Sequence, residues 1–146
     1  MSSPPIDFSD YHSATEKRSQ GGFLRRYHPI DIALDPFPYN GMTTTCDALW
    51  MGVPVVALIG DLSLGRASYS LLSNVGLPEF AVRSKEDYVR VASELARDLP
   101  RLTSLRATLC DRMKASPLLD ATRFARNLEA EFRKVWRRWC VAPRPS

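Results

Sequence analysis

The stretch Asp31–Gly60, DIALDPFPYNGMTTTCDALWMGVPVVALIG, decides the fold. DIALD (31–35) is short, apolar and flanked by breakers, the texture of a buried strand. Pro36, Pro38 and the pair Asn40-Gly41 then interrupt any regular element. Helical spacing starts in TTTCDALWM (43–51) with Cys46, Leu49 and Trp50, and Gly52 followed by Pro54 supplies the stop. VPVVALIG (53–60) is a continuous β-branched run, as in a strand covered on both faces. Strand, turn, helix and strand in this order predict a parallel α/β unit.

Downstream the alternation continues. RASYSLLSNVGL (66–77) reads as a helix with Tyr69, Leu72 and Val75 at three-residue spacing and Gly76 as its stop, and EFAVR (79–83) as a third strand. Ser84 and Asp87 fit a capping box ahead of a helix whose apolar face is Tyr88, Val91, Leu95 and Leu99. Pro100 starts another helix striped by Leu102, Leu105, Leu109 and Met113. SPLLD breaks it, and Asp120 caps a last helix carrying Phe124, Leu128, Phe132, Val135, Trp136 and Trp139. Upstream, FLRRYHPI (23–30) forms a short helix that Pro29 ends. Residues 1–22 are rich in Ser, Pro, Gly and charge and read as a poorly ordered leader or a short docked surface segment; 141–146 is a tail. The fold class is α/β: a short parallel sheet followed by C-terminal helices. Three parallel strands leave two edges, so this reads as part of a larger lobe.

The totals exclude little. The chain has 146 residues, 45% apolar and 25% charged, ordinary for a soluble domain with a core. A net charge of +4 is compatible with anionic partners but selects none. Cys46, Cys110 and Cys140 lie far apart without metal-ligand spacing; they read as reduced, buried thiols in a cytoplasmic protein. No run is long enough for a bilayer, and the start lacks the apolar stretch of a signal peptide.

The turn at 35–45 carries the chemistry. In open α/β sheets, ligands bind beyond the carboxyl ends of the strands. Asn40-Gly41 permits a backbone turn with positive φ and keeps side-chain bulk away from a ligand. Thr43, Thr44 and Thr45 open the helix, where unpaired amides and the macrodipole favour an anion. Their hydroxyls add donors without negative charge, which suits a diphosphate. The plainer alternative is a threonine N-cap after a common turn. Asp47 is either an acidic first-turn residue or a partner for ribose hydroxyls, since directly on a phosphate it would repel.

These motifs, DIALDPFPYNGMTTTCDALWMGVPVVALIGD, then Arg66, SLLSNVGLPE and SPLLDATRFARNLE, resemble the carboxyl-terminal catalytic region of the O-linked N-acetylglucosamine transferase family, which includes SPINDLY-like and bacterial tetratricopeptide-linked members. The similarity runs roughly from Phe23 to Trp139. It implies a GT-B glycosyltransferase with two Rossmann-like lobes, this chain being the later part of the nucleotide lobe, a UDP-sugar-binding unit over 23–140. It implies transfer from a UDP-sugar, typically UDP-N-acetylglucosamine, to protein Ser or Thr, without a metal or other cofactor.

Site residues follow by position. Thr43 and Thr44 match the pair on the diphosphate, with Gly41 at the turn before them, and Asp47 matches the ribose aspartate. Arg26 falls where an arginine meets the uracil. Phe23 stands where some members have a histidine stacked on the base, and Met42 replaces another frequent histidine. Gln20 falls at the place of a ribose-contacting lysine. Arg66 is kept and is given a loop-ordering role, although Ser63 and Gly65 stand where His and Ser are usual. No residue is matched to the first lobe, which supplies the acceptor surface, or to the glutamine and lysine that reach the donor phosphates. No catalytic residue is therefore assigned, and weak or absent UDP binding with no transfer by the chain alone is expected. The rival is a non-catalytic module that assembles with a separately encoded lobe. The last helix has three readings: docking on that lobe, packing on its own, or, through Arg133, Lys134, Arg137 and Arg138, a nucleic-acid patch. The partners expected are a nucleotide-sugar and a protein acceptor, with neither nucleic acid nor membrane.

Overall fold

The computed structural model describes residues 23–141; the leader reading and Gln20 lie outside them. The elements are β1 (Ala33–Leu34), α1 (Thr43–Trp50), β2 (Val55–Leu58), α2 (Ala67–Asn74), β3 (Ala81–Val82), α3 (Lys85–Arg97), α4 (Leu99–Ala115) and α5 (Ala121–Val141). Single 3-10 turns precede β1 at Arg25–Tyr27 and fill Ser63–Arg66, Pro78–Phe80 and Pro117–Leu119.

The sheet is parallel with order β1-β2-β3. Ala33 and Leu34 pair with Val55 and Val56, while Ala57 and Leu58 pair with Ala81 and Val82. Every residue of β2 is buried, as its unbroken β-branched run demands. Around it pack Ala48 and Leu49 of α1, Leu72 of α2, Phe80, Leu95 of α3, and Leu105, Leu109 and Met113 of α4. β1 differs from its expectation: Leu34 is exposed, because nothing among the described residues lies against that face of an edge strand.

Helix boundaries follow local chemistry. Ser84 accepts from the Asp87 amide at 3.0 Å and donates to its carboxylate at 2.8 Å. Asp98 accepts from the Arg101 amide and Asp120 from that of Arg123, each a side-chain N-cap. Gly52 and Gly76 have φ of 79° and 75°, the left-handed conformation that ends a helix. Asn40-Gly41 does not form the expected positive-φ turn; among described residues only those two glycines have positive φ. Gly41 is needed for space instead, since a Cβ there would collide with Thr44 Oγ1.

The inward faces of two helices are rotated from their expected positions. α1 buries Thr45, Ala48 and Leu49, leaving Trp50 outside beneath the Lys114 ammonium. α2 buries Ser68, Leu71 and Leu72, leaving Tyr69 exposed. Leu99 is also exposed, because α3 ends at Arg97 and Leu99 begins α4. The cysteines are free, but Cys46 and Cys110 are only half-buried and Cys140 is exposed. α5 buries no residue, so among the described residues its apolar stripe is not packed on its own lobe.

Candidate functional site

α1 starts without a side-chain cap. Its N-cap is Met42, which offers no oxygen, so the threonine N-cap reading fails. The first amide with a partner is that of Cys46, donating to Met42 O at 3.1 Å. Among described residues nothing accepts from the amides of Thr43, Thr44 or Thr45. Thr43 and Thr44 are exposed, so at these two residues the helix end, with its partial positive charge, is open to solvent. Thr45 departs from the others: it is buried, donating its hydroxyl to Gly41 O at 2.9 Å.

The carboxyl end of β1 sets where this helix starts. Asp35 follows β1, its amide donating to Val56 O at 2.9 Å, and its residue is 4% exposed. Its carboxylate accepts from the Gly41 amide at 2.7 Å and from the Ser68 hydroxyl at 2.6 Å. Tyr88 of α3 donates to Asp35 O at 3.1 Å. Burial holds the Asp35 carboxyl above its ordinary range, against the opposing pull of Ser68, Gly41 and Asn40. Asn40 is buried and donates to Leu58 O at 3.3 Å, while its Oδ1 has no partner among described residues. The loop is closed further along by Gly60 and Gly65, whose backbones touch, Gly60 N donating to Gly65 O at 2.8 Å. Arg66 Nε donates to Gly60 O at 3.4 Å, in keeping with a loop-ordering role.

A second set of groups lies beside α1. Tyr27 donates its hydroxyl to Thr44 O at 3.3 Å, and Phe23 meets the Tyr27 ring edge-on with centroids 6.2 Å apart. Burial first and the charge of Asp47 second raise the Tyr27 hydroxyl above its usual range. A groove of about 290 Å³ runs between Tyr27, Leu34, Pro36 and Thr44. Arg26, in the same 3-10 turn as Tyr27, is exposed. That turn is held by Arg106 of α4, whose guanidinium donates to His28 O at 2.6 Å, Ile30 O at 3.1 Å and the Asp31 carboxylate at 3.1 Å.

Gly41, Thr43, Thr44 and Asp47 therefore share one helix start, and Phe23 reaches it through Tyr27. No contact joins Arg26 to them among described residues. The sequence reading missed Asp35, Ser68, Tyr27 and Arg106. Ser68 carried no signal, since one serine in a helix is ordinary. Asp35 had one: a carboxylate directly after an apolar strand needs donors to be buried.

The chain matches the model of glycosyl transferase family 41 over residues 13–128. It is 43% identical over 123 residues to the probable UDP-N-acetylglucosamine–peptide N-acetylglucosaminyltransferase SPINDLY of Petunia hybrida, covering 84% of this chain and 13% of that protein. The Arabidopsis thaliana protein of that name is 39% identical over the same length. A UDP-N-acetylglucosamine–peptide N-acetylglucosaminyltransferase of Caenorhabditis elegans is 30% identical over 116 residues, 80% of this chain and 10% of the relative. A solved structure of a mutant of Thermobaculum terrenum O-GlcNAc transferase superposes with a TM-score of 0.78 at 42% identity, covering 84% of this chain and 24% of that one. The chain thus spans a small fraction of the relatives it matches, and its sheet and helices are those of an α/β lobe of a GT-B enzyme. With the helix start, the strand order and the run of matching residues in agreement, the chain belongs to glycosyl transferase family 41.

Proposed function

We propose that these residues supply the diphosphate and nucleoside contacts of a protein O-glycosyltransferase that uses a UDP-sugar, with UDP-N-acetylglucosamine the first donor to test. One observation carries this reading: three amides without a partner among the described residues and two exposed threonines lie together at the carboxyl end of β1. Such donors stabilise negative charge, and the leaving group of glycosyl transfer from a nucleotide sugar is a diphosphate whose charge grows as the bond breaks. Thr43 and Thr44 bind the diphosphate, while Gly41 allows the close turn before them. Asp47 accepts from ribose hydroxyls, Arg26 meets the base edge, and Phe23 lies against the base face. The acceptor surface comes from a first lobe and the remaining phosphate contacts from the early part of the nucleotide lobe, to neither of which a residue here is matched. Three free cysteines suit a cytoplasmic setting.

Titrating the full chain with UDP and following the amides of Thr43–Asp47 tests this. Shifts confined to that segment and lost in Thr44→Ala support it; unmoved amides at millimolar UDP refute it. Incubated with UDP-sugar and a peptide acceptor, the chain alone is expected to transfer no sugar.

A second reading, assembly with a separately encoded lobe, is favoured by α5. Its apolar stripe from Phe124 to Trp139 is uncovered among described residues, with Trp136 63% exposed and stacked on Trp139 at 5.6 Å. A patch of this size on a soluble protein marks an interaction surface.

A further inference from the structure

We propose that Asp35 and Ser68 are positioning residues for the anion-binding turn: acting through Gly41, they fix the place from which the first turn of α1 presents its amides. The inference rests on the phosphate reading above and assigns roles to two side chains outside it.

α1 itself contributes to its start only the Thr45 hydroxyl on Gly41 O. Met42 provides no cap, and residues 36–39 before it are exposed. The position must be imposed from outside, and the hydrogen bonds converge on one peptide. The Gly41 N–H is held by Asp35 Oδ1 at 2.7 Å. The Gly41 carbonyl is held by the Thr45 hydroxyl at 2.9 Å, while the one proton of the Ser68 hydroxyl is shared between this carbonyl, at 3.1 Å, and the Asp35 carboxylate, which takes the larger part. Ser68 closes the ring onto Asp35 Oδ2 at 2.6 Å. Gly41 is thereby fixed at both polar groups by the end of β1, the start of α2 and the first turn of α1. Asp35 is itself tied to β2 through its amide, so the reference point is the sheet. All three side chains are buried, Ser68 completely.

A space-filling role does not account for this choice. Burying a carboxylate costs free energy, and an apolar pair of similar volume is commonly as stable or more so. A charge behind an anion site also opposes the ligand. What the carboxylate provides is geometry: two oxygens that grip two donors on different elements.

The test uses the full chain, amide exchange, UDP titration and thermal unfolding. Gly41 and Cys46 carry the protected amides that report on the turn. Asp35→Ala and Ser68→Ala are expected to speed exchange at both by about tenfold relative to β2 and to weaken UDP binding about tenfold while the chain stays folded. Asp35→Asn keeps an acceptor for the Gly41 amide and turns an NH2 to Ser68, whose hydroxyl then accepts from it and gives its own proton to Gly41 O, and should restore both to near the parent. Val75→Ala, a core truncation at the far end of α2, lowers the melting temperature without changing UDP affinity. The proposal is overturned if the two alanine variants weaken UDP no more than Val75→Ala, or if Asp35→Asn fails to recover binding. Should either alanine variant fail to fold, Asp35→Asn and Gly41→Ala carry the comparison, Gly41→Ala being expected to lose UDP binding. If the parent itself does not respond to UDP, the phosphate reading fails and exchange alone decides the clasp: equal acceleration everywhere refutes it, acceleration at Gly41 and Cys46 alone supports it.

Discussion

α1 and α5 are both amphipathic by sequence, yet they have opposite fates. α1 is eight residues long, buries Thr45, Ala48 and Leu49 against β2 and α4, and leaves its amino end free. α5 is twenty-one residues long, is capped by Asp120 and buries nothing. Its apolar side chains from Phe124 to Trp139 form a surface without a partner among described residues. Amphipathic spacing thus shows which side of a helix is to be covered, and only the fold shows whether this chain covers it.

The comparison breaks most easily in the core. Leu109→Ala, at a fully buried position packed against this side of the lobe, should cost about 2–5 kcal/mol in urea unfolding. A cost as small as that of an α5 substitution would mean that the packed lobe is looser than described. Gly52→Ala comes next. The left-handed conformation alone costs about 1–2 kcal/mol, and a Cβ there would lie 2.6 Å from the Arg106 carbonyl, so the loss should exceed that range. Gly76→Ala shares the φ but meets nothing within 4 Å, so it should lose only the conformational cost of about 1–2 kcal/mol. Equal losses at the two glycines would remove the close approach of α4 to the end of α1.

Two smaller effects sharpen the contrast. The Asp35 carboxyl is raised in the folded chain, so its contribution is fully present below the ordinary carboxylate range and is lost as pH rises through the raised value. Asp35→Asn should therefore be at least as stable as the parent at pH 7, with the advantage shrinking as pH falls towards the usual carboxylate range. A gap that widens towards acid would contradict the sign. Smallest of all, Trp136→Ser on α5 should leave the unfolding midpoint unchanged and improve solubility, since the side chain is already in water. A clear loss of stability would show that α5 is packed in solution.

Long-range order was legible where one residue type had one use. The β-branched run at 53–60 could only be a covered strand, and Ser84 and Asp120 sit where helices need oxygen, whereas the Asp98 cap was hidden by the apolar spacing that carried the preceding helix to Leu99. Rotational detail was not. Tyr69 and Ser68 are neighbours, and aromatic size favours Tyr69 as the inward residue, yet the fold turns Ser68 in because Asp35 needs a donor. The same need explains why the site was half legible. Thr43 and Thr44 announce themselves by position, whereas the residues that hold them are ordinary in their own segments and meet only across thirty or more positions of chain.

Arg106 works as a calliper. Its side chain grips the carbonyls behind Arg26 and Tyr27, while its own carbonyl abuts Gly52 at the far end of α1. One residue of α4 thus gauges the span between the turn beside the groove and the helix that forms its other wall. Through this one side chain and its own carbonyl, α4 touches the mounts of both walls of the groove.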